Sequence, residues 1–308
     1  GEAAVAAYLR HLGRFFPPLD RTANPEGDPA SVVFGVLTTR ASHESRAATV
    51  KDTWWRHVPV GYFYGDAGDD RLPVTPYAPL EETPAESEAA REFSAGEASL
   101  AQMHPKRYLR ELILKADYGS SLPKFFMALL DMYYRHPESP WFYLGGDDNL
   151  VDPSSLAGLL APLDPSDKLL VGGPLGQHIG VGNYPSGGSG IVFSNGFARA
   201  AHLHLIPFAA SWRLYRGKHM LCHPCADVAF GFLARDLGAR VVEIPCMHGM
   251  WPEYFVMHSS PGLPGCAADS PSSGLATKPR IRCGAPATFH YLQPRAMRLL
   301  YRRLFRRP

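Results

Sequence analysis

A chain of 308 residues, 45% hydrophobic and 19% charged, carries enough apolar side chain to offset the ordering entropy of folding, which excludes a disordered protein. A formal net charge of +2 is too small for a polyanion-binding field, and the basic run Arg302 to Arg307 is short, so nucleic acid is excluded as a partner. No apolar run approaches the ~18–20 residues that span a bilayer, so a membrane enters only through an anchor absent from this chain.

Residues 1–30 read as a helical or linker segment. Ser31 to Leu37 is a β-branched and apolar run, followed by Thr38-Thr39-Arg40 and a helical stretch through Trp55: strand, loop, helix. Val60 to Tyr64 reads as a second strand ending at Gly65-Asp66, and the acidic, Pro-rich stretch from Gly68 to Gln102 as a surface excursion. From Ser121 to Arg135 apolar residues recur at helical spacing until His136-Pro137 stops them. A strand, Trp141 to Leu144, runs into Gly145-Gly146-Asp147-Asp148-Asn149; Pro153 opens a helix to Leu163, and Lys168 to Val171 is a further strand. Gly187-Gly188-Ser189-Gly190 precedes the apolar run Ile191 to Phe193. Cys225 to Leu237 predicts a helix with Gly238 as its C-cap, then a strand, Ala239 to Ile244, and a loop from Met257 to Thr277. Alternating strands and helices predict a single α/β domain over residues 31–298, with ligands outside the carboxyl ends of the strands, and a basic tail over 299–308.

All five cysteines (Cys222, Cys225, Cys246, Cys266, Cys283) lie in the C-terminal third, which favours a disulfide-forming compartment. Cys222-His223-Pro224-Cys225 has thioredoxin-like spacing, but the polar and basic residues before it are not the buried strand such a site needs.

The acidic strand end carries the chemistry. A departing nucleoside diphosphate needs its charge neutralised, usually by Mg²⁺ or Mn²⁺ on hard oxygen ligands. Asp147 and Asp148 follow an apolar strand and two glycines, and Asp152 lies near. The plain alternative is a turn and helix start.

Trp141 to Pro153 resembles the metal-binding segment of the fringe-type β-1,3-glycosyltransferases, a family that includes plant and fungal relatives and the core 1 galactosyltransferases. Further stretches match in order. Phe34 to Trp54, with Thr38-Thr39-Arg40 and Asp52-Thr53-Trp54, resembles the strand-helix unit that holds the uridine. Lys124 lies in the helix before the metal strand; Gly187 to Gly190 resembles the family's Gly-Gly-Ala-Gly loop; Ala226 to Gly231 resembles the helix start that carries its base. The resemblance implies a GT-A type fold, a Rossmann-like mixed sheet flanked by helices. It also implies an inverting hexosyltransferase that uses a UDP-sugar donor and Mn²⁺ or Mg²⁺ on a glycan or glycoprotein acceptor. The compartment it implies is the secretory pathway, in the Golgi lumen as a type II protein without its anchor, or secreted.

By that resemblance Asp148 is the principal metal ligand and His248 the second, with His290 as the rival among thirteen histidines. Asp227, at a predicted helix start, is the base that takes the acceptor proton. Thr39, Arg40, Arg46, Asp52, Asp66, Lys124, Asp147, Gly187 and Gly188 are the donor-binding candidates: the glycines for close backbone approach, the arginines for uridine or diphosphate, Asp66 for uracil or ribose. Gly146 stands where relatives have the first of three acids, and Ala226 where they have an acid before the base. These two departures define the competing reading, a fold that has lost catalysis and serves as a lectin or chaperone.

Overall fold

The structure is a computed structural model that describes residues 25–76, 121–178, 181–214, 225–244, 246–249 and 286–305. At its centre β1 (Val32–Leu37) is buried along its whole length, as an apolar strand covered on both faces must be. It pairs in parallel with β2 (Gly61–Gly65) on one side and β4 (Trp141–Gly146) on the other. β3 (Val74–Pro76) continues in parallel beyond β2. Next to β4 the direction reverses: β9 (Ile191–Ser194) runs antiparallel to both β4 and β6 (Leu169–Gly172), and β10 (Arg240–Glu243) lies parallel to β6 at the edge. The order β10-β6-β9-β4-β1-β2-β3 is a mixed sheet of seven strands, in keeping with the α/β reading.

Strand alternation sends side chains into two separate cores. Val32, Phe34, Trp141 and Tyr143 face one, beneath α1 (Ala48–Asp52), α3 (Pro153–Leu160) and α7 (Pro294–Phe305). Val33, Phe142, Leu144 and Phe193 face the other, beneath α2 (Ser121–Arg135), α4 (Asn195–Ala201), α5 (Leu205–Leu214) and α6 (Ala226–Asp236). There Phe126 of α2 stacks on Phe230 of α6 with centroids 4.3 Å apart; truncating either ring to alanine costs about 3–5 kcal/mol. Helix ends follow local chemistry. The Asp152 side chain accepts from the Ser155 N–H ahead of α3, and Gly238, at φ 60°, receives the chain after α6.

Several elements differ from the sequence reading. The single helix expected through Trp55 is broken into short turns around α1, because Thr53 leaves helical geometry (φ −116°, ψ −113°) and its hydroxyl bonds back to the Thr49 carbonyl at 2.6 Å. The hairpin β7 (Leu175–His178) and β8 (Gly182–Pro185) has no apolar alternation to announce it. Residues 299–305, read as part of a basic tail, complete α7, with Leu300 and Leu304 buried. Two-residue strands β5 (Leu150–Val151) and β11 (Thr288–Phe289) pair antiparallel. The loop expected over 257–277 and the excursion beyond residue 76 lie outside the described residues.

Candidate active site

Because β1, β2 and β4 are parallel, their carboxyl ends deliver Thr38-Thr39, Gly65-Asp66 and Asp147-Asp148 to one edge of the sheet. β9 runs the opposite way with Ile191 opposite Leu144, so the loop that enters it, Gly187 to Gly190, arrives at the same edge.

One flank is closed by polar bonds inside the protein. Asp147 is buried; one carboxylate oxygen accepts from the Thr38 hydroxyl at 2.7 Å and the other lies 3.1 Å from Nε of Arg46. Arg46 also donates to the Ser42 hydroxyl, whose neighbour in the turn is the buried Thr39 hydroxyl at 3.3 Å. Lys124, buried on α2, donates to the Thr38 carbonyl at 3.1 Å. Four of the predicted donor residues, Thr39, Arg46, Lys124 and Asp147, therefore meet here, and two more lie alongside, with Arg40 held by the bond from its N–H to the Asp66 carboxylate at 2.8 Å. Asp66 is thus engaged with backbone, and Arg40 lines an open cleft of ≈ 380 Å³ with His43, Glu44, Gly68, Asp69 and Asp70. Asp52 is exposed at the end of α1; the residue that reaches the acidic loop from there is Trp54, which donates to the Asn149 carbonyl at 2.8 Å. Asp152 is taken up as the helix cap, which removes it from the acidic cluster.

The other flank is more open. Asp148 keeps 19% of its side chain exposed, and its Oδ2 faces Nε2 of His290 at 3.5 Å. The other imidazole nitrogen of His290 lies 3.1 Å from the Gly249 carbonyl, so it carries an N–H, and in the neutral ring the lone pair is the one on Nε2, which faces Asp148. His248 is buried beside β11. Its N–H donates to the Thr288 carbonyl, its ring packs on Phe289, and burial lowers its pKa to about 4. β11 is bridged to Met247 on one side and paired with β5 on the other, and the rival His290, just beyond it, makes the contact with Asp148 described above.

The glycine loop joins this flank to Asp227. The Asn149 amide donates to the Gly188 carbonyl at 2.8 Å, a Cβ at Gly188 would meet His290 at 2.4 Å, and the Gly187 N–H donates to the Asp227 carboxylate at 2.9 Å. Asp227 keeps part of its surface open but is surrounded by protein. Burial therefore pushes its carboxyl up from the ordinary value, against the opposing pull of the Gly187 and Val228 N–H groups and, in its protonated form, of His290. A carboxylate with reduced solvation and a raised proton affinity is suited to accept a proton.

A sequence match to the Fringe-like family covers residues 28–254, most of the chain. The chain belongs to the Fringe-like family. A mouse (Mus musculus) protein named beta-1,3-glucosyltransferase is 24% identical over 238 residues, 75% of this chain. The chain spans 39% of the length of that relative. Among solved structures, a glycosyltransferase involved in glycosylation of the major capsid of PBCV-1 aligns over 74% of this chain and 89% of its own, with 10% identity and a TM-score of 0.35.

Within this Fringe-like chain, sequence reasoning passed over Thr38, Asn149 and Trp54 as site-forming residues. Thr38 and Asn149 stood inside the quoted motifs; their bonds to Asp147 and Gly188 are tertiary and left no pattern in the sequence. Among the described residues no group of three or more His, Cys, Asp or Glu side chains is arranged to hold a metal. The donor set on offer is the pair Asp148 and His290. A carboxylate oxygen and an imidazole nitrogen 3.5 Å apart, the latter with its tautomer fixed, fit a divalent ion of the Mn²⁺ or Mg²⁺ kind whose other positions belong to substrate and water.

Proposed function

We propose that the chain is an inverting glycosyltransferase that moves a hexose from a UDP-sugar to a hydroxyl of a glycan or glycoprotein acceptor. The donor sugar is galactose, N-acetylglucosamine or glucose, and the β-1,3 linkage is supported by the name of the mouse relative. The observation that carries the reading is that one glycine loop touches both the Asp148–His290 pair, through Gly188, and the Asp227 carboxylate, through Gly187.

Thr39, Arg40, Arg46, Asp66 and Lys124 shape the uridine and diphosphate side, with Asp147 pinning that wall and Asp52 remaining a candidate only from resemblance. Asp148 and His290 would hold the metal, with His248 as the alternative that sequence favours. A divalent ion of the Mn²⁺ or Mg²⁺ kind held there would supply positive charge to offset that of the departing diphosphate. Gly187 and Gly188 let the backbone come close to the sugar. Asp227 accepts the proton of the acceptor hydroxyl as oxygen attacks the anomeric carbon on the face opposite the leaving diphosphate, which inverts the configuration. The disulfide-bonded state of Cys225 and Cys246 supports an oxidising, secretory compartment such as the Golgi lumen. No helix among the described residues is long and apolar enough to cross a membrane.

The test is transfer from a panel of UDP-sugars with Mn²⁺, scored by UDP release and by the anomeric configuration of the product. Inverted product from at least one donor is expected. Binding of every donor without turnover favours the lectin reading, and product with retained configuration removes Asp227 as base.

A further inference from the structure

Tyr143 of β4 occupies a core position that a phenylalanine would fill. It is fully buried, and its ring lies 5.7 Å from that of Phe34 in the core shared with Trp141 and Val36. The ring leans along the strand towards the acidic loop because two glycines leave room for it. A Cβ at Gly145 would lie 2.4 Å from the Tyr143 hydroxyl, and one at Gly190 2.3 Å. Gly190 is doubly constrained, since its φ of 77° also disfavours any side chain.

The hydroxyl is thereby carried to the base of the acidic loop, beside the Asn149 side chain and within reach of the charge of Asp148. There the Asn149 side chain is its polar neighbour, but the hydroxyl meets hydrogen-bond geometry with no described residue. The Asn149 amide is engaged instead, its nitrogen with the Gly188 carbonyl and its oxygen with the Gly146 N–H. A buried hydroxyl without a partner lowers stability relative to a phenyl ring of the same shape. The feature is costly as it stands, and it is aimed at the one loop where a ligand is expected.

Asp148 supplies the missing acceptor. Its Oδ2 faces His290, while its Oδ1 turns back over Gly146, 2.8 Å from where a Cβ would be. A carboxylate that holds a cation through one oxygen is oriented by a hydrogen bond at the other, and a phenolic O–H is a donor suited to that role. We propose that Tyr143 is a positioning residue: with donor and cation bound, its hydroxyl donates to Asp148 and fixes the carboxylate that faces His290. Gly145 and Gly190 are the residues that admit it. The proposal rests on the UDP-sugar reading of the site.

The experiment compares Tyr143→Phe with the unsubstituted protein in thermal midpoint without ligand, in UDP affinity with and without Mn²⁺ by calorimetry, and in KM and kcat. Removal of an outer partner of a metal ligand weakens binding about 10-fold or more. The expected result is such a loss for UDP with Mn²⁺, little change for UDP alone, a larger effect on KM than on kcat, and a ligand-free midpoint equal to or above the original. Unchanged affinity with Mn²⁺ overturns the proposal. So does a lower ligand-free midpoint, since the hydroxyl would then have its partner in the resting protein. Failure of the unsubstituted protein to bind UDP with Mn²⁺ is a different outcome: it removes the UDP-sugar reading, and the role of Tyr143 with it.

Discussion

Asp147 and Asp148 are neighbours in the chain and opposites in their surroundings. The first is buried and bonded to Thr38 and Arg46, so both its oxygens are answered by protein. The second stands partly open, facing a histidine from the far end of the chain. A pair of adjacent acids at a strand end therefore does two jobs: Asp147 ties the loop to β1 and the turn after it, and Asp148 remains available to a ligand. Asp227 belongs with Asp148, its carboxylate hydrogen-bonded by the backbone N–H groups of Gly187 and Val228.

The contrast predicts that substitutions on the open flank remove activity while those on the closed flank remove stability. The largest effect is expected from Asp227→Asn, with transfer reduced on the order of 10³-fold and UDP binding retained; single-turnover transfer beside calorimetry checks it, and an active variant would show that another group takes the proton. Next comes His290→Ala, where Mn²⁺-dependent UDP affinity should fall about 10–100-fold, against little change for His248→Ala. A reversed ranking in calorimetry would restore His248 as the ligand. Asp147→Asn should instead destabilise the protein by about 2 kcal/mol, because a charge-assisted pair is lost from a buried loop; chemical denaturation reads it, and an unchanged midpoint would break the contrast between the two acids. The smallest effect belongs to Asp66→Ala, which removes one bond to the Arg40 N–H and should cost about 1 kcal/mol, with donor KM raised no more than a few-fold.

The strand ends were legible because their signals are local. An apolar run that stops at Gly-Gly-Asp-Asp-Asn, or at Thr-Thr-Arg, places polar residues at the carboxyl edge of a parallel sheet without any knowledge of distant contacts. The place of Asp227 was legible for the same reason, since it sits in the first turn of a helix whose apolar spacing is plain. The contact of His290 with Asp148 was not legible. It depends on β11, two residues long and joined to β5 across most of the C-terminal half of the chain, and no periodicity marks a strand of that length. The breaks around α1 were hidden too, because Thr53 acts through a hydroxyl bond to its own helix rather than through hydrophobic pattern.

The ladder of β5 and β11 matters in time as well as in space. β11 places Phe289 opposite Leu150, and Tyr291, at φ 58°, turns the chain so that the Leu292 N–H reaches the Asp148 carbonyl. All seven strands of the main sheet, the glycine loop and Asp227 precede residue 245 in sequence. A ribosome can therefore have delivered the whole sheet and Asp227 before His290 is made. The two halves of the Asp148–His290 contact meet only once the segment around β11 has docked on β5, so order in the sheet precedes order at its acidic edge.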